Sequence, residues 1–259
     1  MKTPDNNGDV LFRYKSMDTP NAVKYTLDIL KKQRLYCPRI ASFNDPFECR
    51  ANISFEAPLE VKNTRAKERL NRENPGMTDA DAEKLAPTRW KQVEKEGWKE
   101  ALHWLQHDIG VISFSEINDN ILMWSHYAGG HNGICVEFRY TDRDHADFFA
   151  KAQRVAYKEK LPIVNFYTAS PIKIAKTLIL TKSVHWSYER EWRIIVPDAA
   201  HHSRYIQIPT GVITAVYLGC EINRRNREAI SDILQNRNIK VFQAERKRDA
   251  YGLNFKPIK

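Results

Sequence analysis

Apolar and polar positions along this chain follow two periods. Leu11-Phe12-Arg13-Tyr14 reads as a short first strand, and Thr19-Pro20 then opens a helix, with Thr as N-cap and Pro at the first helical position. Val23, Leu27 and Leu30 recur along one face of that helix. Leu35-Tyr36-Cys37 reads as a second strand, leading to the loop SFNDPFE at 42–48, where Asn-Asp-Pro is strong turn chemistry. Residues 56–108 change character. They hold 10 basic and 11 acidic residues and few β-formers, and Trp90, Val93, Gly97, Ala101 and Leu105 mark one helical face. This stretch reads as a helical insertion beside the main sheet.

From Gly110 the pattern turns to strands. Val111-Ile112-Ser113-Phe114-Ser115 is followed by a polar loop, a helical Ile121-Leu122-Met123-Trp124-Ser125-His126-Tyr127, and the glycine-rich turn AGGHNG into Ile134-Cys135-Val136-Glu137-Phe138. Ser170-Pro171 starts a helix expected to reach about Lys182, and residues 186–196, WSYEREWRIIV, read as a strand. The tail holds a strand at 215–219, a basic helix at about 223–235, a strand at 241–244 and a further one at about 251–255. Strands and helices mix without regular βαβ alternation. The expected class is α+β with mainly antiparallel sheets, in a single domain over residues 1–259.

Composition narrows the class. A hydrophobic content of 42% with six Trp, eleven Tyr and eleven Phe supplies a core and argues against disorder. No run of about 18 apolar residues occurs, and the first residues lack an apolar signal region, so no membrane association is expected. The four cysteines are scattered with no CxxC, which suggests neither a disulfide framework nor structural zinc and fits a reducing cytoplasm. The net charge of +9 is uneven: residues 151–259 carry 20 Lys and Arg against 9 Asp and Glu, whereas residues 109–150 carry 2 against 6. Such a basic C-terminal portion favours a polyanionic partner, RNA or DNA.

The motifs exclude several chemistries. GxxxxGK[ST], GxGxxG and GxSxG are all absent, which removes a P-loop, a dinucleotide fingerprint and a serine-hydrolase elbow. His103 and His107 are four apart, but Trp104 stands where a metalloprotease needs Glu and no third ligand is evident. No metal is expected. Glu189 and Glu191, by contrast, are two apart at the mouth of an apolar strand, and in extended chain they share one face. An ion pair with Arg190 or Arg193 is the plain reading; a catalytic glutamate with a helper is the sharper one. A metal-dependent nuclease built on Asp45, Glu48 and Glu191 is a third.

Four polar-aromatic clusters, LFRYKS, SFNDPFE, ISFSEINDNILMWSHYAGGHNG and WSYEREWR, have the composition of a concave site for a flat, polar, anionic ligand. FNDPFE, MWSHY and WSYEREWR together resemble a widespread bacterial family, domain of unknown function 2971. The motif order is also similar, more distantly, to that of the ADP-ribosyltransferase superfamily. That second resemblance implies two packed, mainly antiparallel sheets with flanking helices and NAD as substrate. It implies that Arg13, with Tyr14, anchors NAD, that Ser113 and Ser115 shape the nicotinamide pocket and orient Glu191, and that Trp124 or Tyr127, with His126 and Asn44 nearby, lines the same site. Glu191 would be the catalytic carboxylate and Glu189 its helper. A macromolecular acceptor, preferably nucleic acid, and a toxin or anti-phage role with an antitoxin or regulatory partner follow by analogy. The alternative is a non-catalytic nucleic-acid- or partner-binding module.

Overall fold

The computed structural model describes residues 10–140, 145–197 and 203–258. The first half contains β1 (Val10–Lys15), α1 (Pro20–Lys32), β2 (Arg34–Tyr36), β3 (Asn52–Ser54), α2 (Leu59–Glu73), α3 (Asp79–Gln92), α4 (Trp98–Asp108), β4 (Gly110–Ser115) and α5 (Ile121–Tyr127). Next come β5 (Ile134–Arg139), α6 (Ala146–Phe149), β6 (Ala152–Arg154), β7 (Ala156–Lys158), β8 (Ile163–Asn165), α7 (Pro171–Ile179) and β9 (Thr181–Ser183). The remainder is β10 (Glu191–Val196), β11 (Tyr205–Gln207), β12 (Ile213–Leu218), α8 (Arg224–Leu234), β13 (Lys240–Arg246) and β14 (Leu253–Pro257). The class is α+β. Its contacts divide into two compact units, one of residues 1–38, 110–155 and 185–259, the other of 39–109 and 156–184.

The first unit is built on an eight-stranded sheet in the order β14-β13-β12-β5-β1-β4-β10-β6. Every pairing is antiparallel except β12 with β13, which α8 connects. Instead of two separate sheets, the pattern is a five-stranded and a three-stranded part joined at one point. β1 shares six registered pairs with β5, and β4 shares six with β10, but β1 and β4 share only Phe12↔Ser115. This seam lies at the middle of the sheet.

Alternation along the strands sorts two cores onto the two faces. Leu11, Ile112, Phe114, Val136, Phe138, Ile194 and Val216 face one way, where Ile29 and Leu30 of α1 and Ile230 and Leu234 of α8 join them. Tyr14, Cys135, Ala215, Tyr217 and Ala244 face the other, covered by Met123 and Trp124 of α5. Thr19 caps α1 by accepting from the Ala22 amide, and Asn223 caps α8 by accepting from the Asn226 amide.

The second unit holds α2, α3, α4 and α7 with two parallel two-stranded ladders, β3–β8 and β7–β9. Between α3 and α4, residues Val93–Gly97 form a π-helical stretch, so the backbone stays helical from Asp79 to Asp108. The buried Lys182 ammonium pairs with Glu48 at 2.8 Å. The helix expected from Ser170 to about Lys182 stops at Ile179, because Thr181–Ser183 pairs with β7. No helix among the described residues is long and apolar enough to cross a membrane.

Candidate functional site

The site begins at the edge of β10. Glu191, its first residue, is registered with Ser115, and Arg193 with Ser113, so these four side chains belong to one sheet face. Glu191 is 5% exposed and Arg193 1%. Arg193 Nε donates to Oε1 of Glu191 at 2.7 Å and Nη2 to Oε2 at 2.8 Å. A buried carboxylate held on both oxygens by one guanidinium is fixed in orientation and compensated in charge. The ion-pair reading of Glu191 is therefore realised with Arg193.

Glu189 and Glu191 do not alternate along one strand. Residues Val184–Glu189 form a 3-10 stretch, and Arg190, with φ of 44°, turns the chain before β10 starts. The expectation of a shared face from extended chain fails at this left-handed residue. Glu189 is buried, and its Oε1 accepts from the Tyr127 hydroxyl at 2.6 Å. Its backbone carbonyl accepts from Ser115 Oγ at 2.6 Å. Ser115 thus anchors the backbone ahead of β10, and no bond to the Glu191 carboxylate stands among its described contacts. Ser113 enters through its carbonyl oxygen, which accepts from Arg13.

Helix α5 brings MWSHY onto this edge. Asn120 caps it, its Oδ1 accepting from the Leu122 and Met123 amides. Trp124 is completely buried and donates Nε1–H to the Asn118 carbonyl at 2.7 Å. Tyr14 stands edge-on to it at 5.4 Å and donates its hydroxyl to the Ile117 carbonyl. The roles expected for Trp124 and Tyr14 at a cofactor are corrected here, since both side chains are spent on the core and offer no open ring face. The rings on the accessible side are His126, Tyr127, Trp186 and Tyr188. His126 lies edge-on to Tyr127 at 6.2 Å and to Trp186 at 6.1 Å, and Trp186 is 6.0 Å from Tyr188. Trp186 and Tyr188 were not singled out from the sequence, although WSYEREWR contains them.

Arg13 occupies the seam. By alternation it belongs to the face of Leu11 and Phe114, opposite Ser115, and its guanidinium lies 5.9 Å from the Phe114 ring. It reaches the Ser113 carbonyl, while its buried Nε–H has no hydrogen-bond partner among the described residues. Burial pushes its pKa down to about 10, against smaller opposing effects of Cys37 and Glu191. It remains a cation at neutral pH. Burial likewise pushes the Cys37 thiol up to about 11.

Asn44 is an exposed residue of the second unit, in the turn where the Asp45 carboxylate accepts from the Phe47 amide. Asp45 and Glu48 are occupied within that unit, and among the described residues no group of three His, Cys, Asp or Glu side chains could hold a metal ion. His103 and His107 stack at 4.1 Å. A further buried carboxylate is Glu137, read in the sequence only as a strand residue, which accepts from Tyr217 at 2.8 Å and Thr214 at 2.7 Å.

The fold and site define an α+β protein with two buried carboxylates, an aromatic cluster and a seam arginine on neighbouring strands. Residues 123–194 match the family model described as Protein of unknown function (DUF2971), so this segment is similar to that family. The matched segment begins in α5 and ends in β10, so the Tyr127–Glu189 hydrogen bond joins its two ends. No curated protein and no solved structure matches the chain.

Proposed function

We propose that the protein is an NAD-dependent ADP-ribosyltransferase acting on a macromolecule, with nucleic acid preferred as acceptor. The observation that carries this reading is the strand order β1-β4-β10, which sets Arg13, Ser113 and Ser115, and Glu191 on three adjacent strands across the seam. That is the order of parts the ADP-ribosyltransferase resemblance calls for. In the reaction the bond between nicotinamide and ribose C1′ breaks, the electron pair leaves with nicotinamide, and an acceptor oxygen or nitrogen bonds to C1′ and loses its proton. Glu191, oriented by Arg193, would stabilise the developing ribosyl cation, the more so for lying in a poorly hydrated setting. Arg13, at the seam but alternating to the opposite sheet face, adds a fixed positive charge felt by Glu191. The rings of Tyr127 and Trp186 suit a flat nicotinamide, and Tyr127 would pass the acceptor's proton toward Glu189. Inside its own cell such an activity is toxic, which fits a toxin or anti-phage effector held by a regulatory partner.

The test is incubation with labelled NAD and RNA, DNA or protein. Glu191→Gln is expected to lower transfer by about 100-fold or more, with an unchanged circular dichroism spectrum. No transfer and no NAD loss, with Glu191→Gln identical to wild type, would overturn the proposal. One observation favours a second reading, a non-catalytic nucleic-acid- or partner-binding module: both oxygens of Glu191 are already taken by Arg193. That module would bind polyanions equally well as Glu191→Gln.

A further inference from the structure

β12 and β13 run parallel, so the C-terminal ends of both strands and the first turn of α8 lie at one end of the sheet. That end is basic. Arg246, Lys247 and Arg248 are exposed at the turn from β13 to β14, and Arg224 and Arg225 are exposed in the first turn of α8. Arg246 pairs with Glu221, just ahead of α8, which ties the two segments together. The Lys247 amide donates to the Gly252 carbonyl at 3.0 Å and closes the turn. Within it, Tyr251 is 100% exposed. A concavity of about 720 Å³ is bounded by residues 246–253 together with Ile121, His131, Cys220 and Glu221.

A tyrosine with no packing forgoes the burial that ordinarily stabilises an aromatic ring. Set among cations on a closed turn, it is a stacking platform beside phosphate-binding charges, the combination that single-stranded nucleic acids use. A duplex keeps its base faces stacked and has no use for such a ring. A membrane surface would call for apolar neighbours, whereas Asp249 and exposed arginines flank Tyr251.

We infer that this end of the sheet is a docking surface for single-stranded nucleic acid, with Tyr251 stacked on a base and Lys247, Arg248, Arg224 and Arg225 on phosphates. The inference shares the acceptor class of the proposed function and is independent of its chemistry. Glu191 lies in the cross-strand row that passes through Ser115, Phe12, Glu137 and Ala215 to Lys240, and Arg246 stands six residues beyond Lys240, about 20 Å along β13.

The experiment is fluorescence anisotropy of a labelled oligouridylate and of a duplex of equal length, at two salt concentrations. Tyr251→Ala should weaken oligouridylate binding by about 5- to 150-fold and leave the salt slope unchanged. Lys247→Ala/Arg248→Ala should flatten that slope by about 1.4. Both variants should melt as wild type does. No binding of the oligomer, preference for the duplex, binding only to anionic lipid vesicles, or an ineffective Tyr251→Ala would each overturn the inference. Glu191→Gln should bind as wild type; if it also turns over NAD as wild type, the catalytic reading falls and the docking surface stands.

Discussion

The hydroxyl of Tyr127 donates to the carboxylate of Glu189 across 2.6 Å, joining residues 62 positions apart in sequence. Both lie in motif blocks, MWSHY and WSYEREWR, so this bond is a physical reason for the two to occur together. Tyr127→Phe withdraws a donor from a buried carboxylate and is expected to destabilise the protein by about 1–3 kcal/mol. Urea denaturation measures it. In a double-mutant cycle with Glu189→Gln the two losses should fall short of additivity, and strict additivity would mean that the bond contributes nothing.

Arg193→Ala withdraws the guanidinium that holds both oxygens of the buried Glu191 carboxylate, and about 3–5 kcal/mol of stability should be lost. Adding Glu191→Gln to that variant removes the buried negative charge and should restore part of the loss. Chemical denaturation of the single and double variants decides the point, and a double variant less stable than Arg193→Ala contradicts it.

Lys15 offers a pH test with a definite sign. Burial, and secondarily Arg13, pushes its pKa down to about 8 from the usual 10.5. Below about pH 8 the ammonium is charged in both folded and unfolded chain, and folding carries its full desolvation cost. Between about 8 and 10.5 the folded chain gives up the proton first, so this contribution to stability rises with pH. Lys15→Met should therefore be more stable than wild type at pH 7, and its advantage should shrink toward pH 10. Thermal melts across that range check it; an advantage that grows with pH would refute it.

The glycines of AGGHNG are not equivalent. Gly130 has φ of 61° and open space around it, so Gly130→Ala should cost about 1–2 kcal/mol from backbone conformation alone. A Cβ on Gly133 would run into the carbonyl oxygen of Lys15, which is backbone and cannot swing aside. Gly133→Ala should accordingly cost more than Gly130→Ala, about 3 kcal/mol or above. Equal midpoints in urea would contradict the geometry.

Much of the sheet was legible because its strands are dense in β-branched and aromatic residues. Val111 to Ser115 and Ile134 to Phe138 appear as β4 and β5, and the N-cap read at Thr19 stands where a polar residue precedes apolar periodicity. The three-residue strands β3, β7, β8 and β9 were invisible, since a three-residue run has no readable period and pairs with residues far away in sequence. In the site, the residue types were readable but their commitments were not. Trp124 and Tyr14 look like ligand-facing aromatics in a string of letters, and only their bonds to the Asn118 and Ile117 carbonyls assign them to the core. The kink at Arg190 likewise gave no warning, because a non-glycine residue with positive φ has no sequence signature.

The wiring of the large sheet also bears on how the chain folds as it leaves the ribosome. β1 precedes every other strand of this sheet, yet its neighbours β5 and β4 lie beyond residue 109, and β10 and β12 follow after residue 190. A nascent chain that has passed the helices 59–108 still holds β1 without a partner strand. The whole sheet can close only after β12 to β14 have been made, about 200 residues after β1, so its completion is slow. Nascent chains arrested before β4 should remain sensitive to protease over β1, with protection appearing only once β4 and β5 have cleared the exit tunnel.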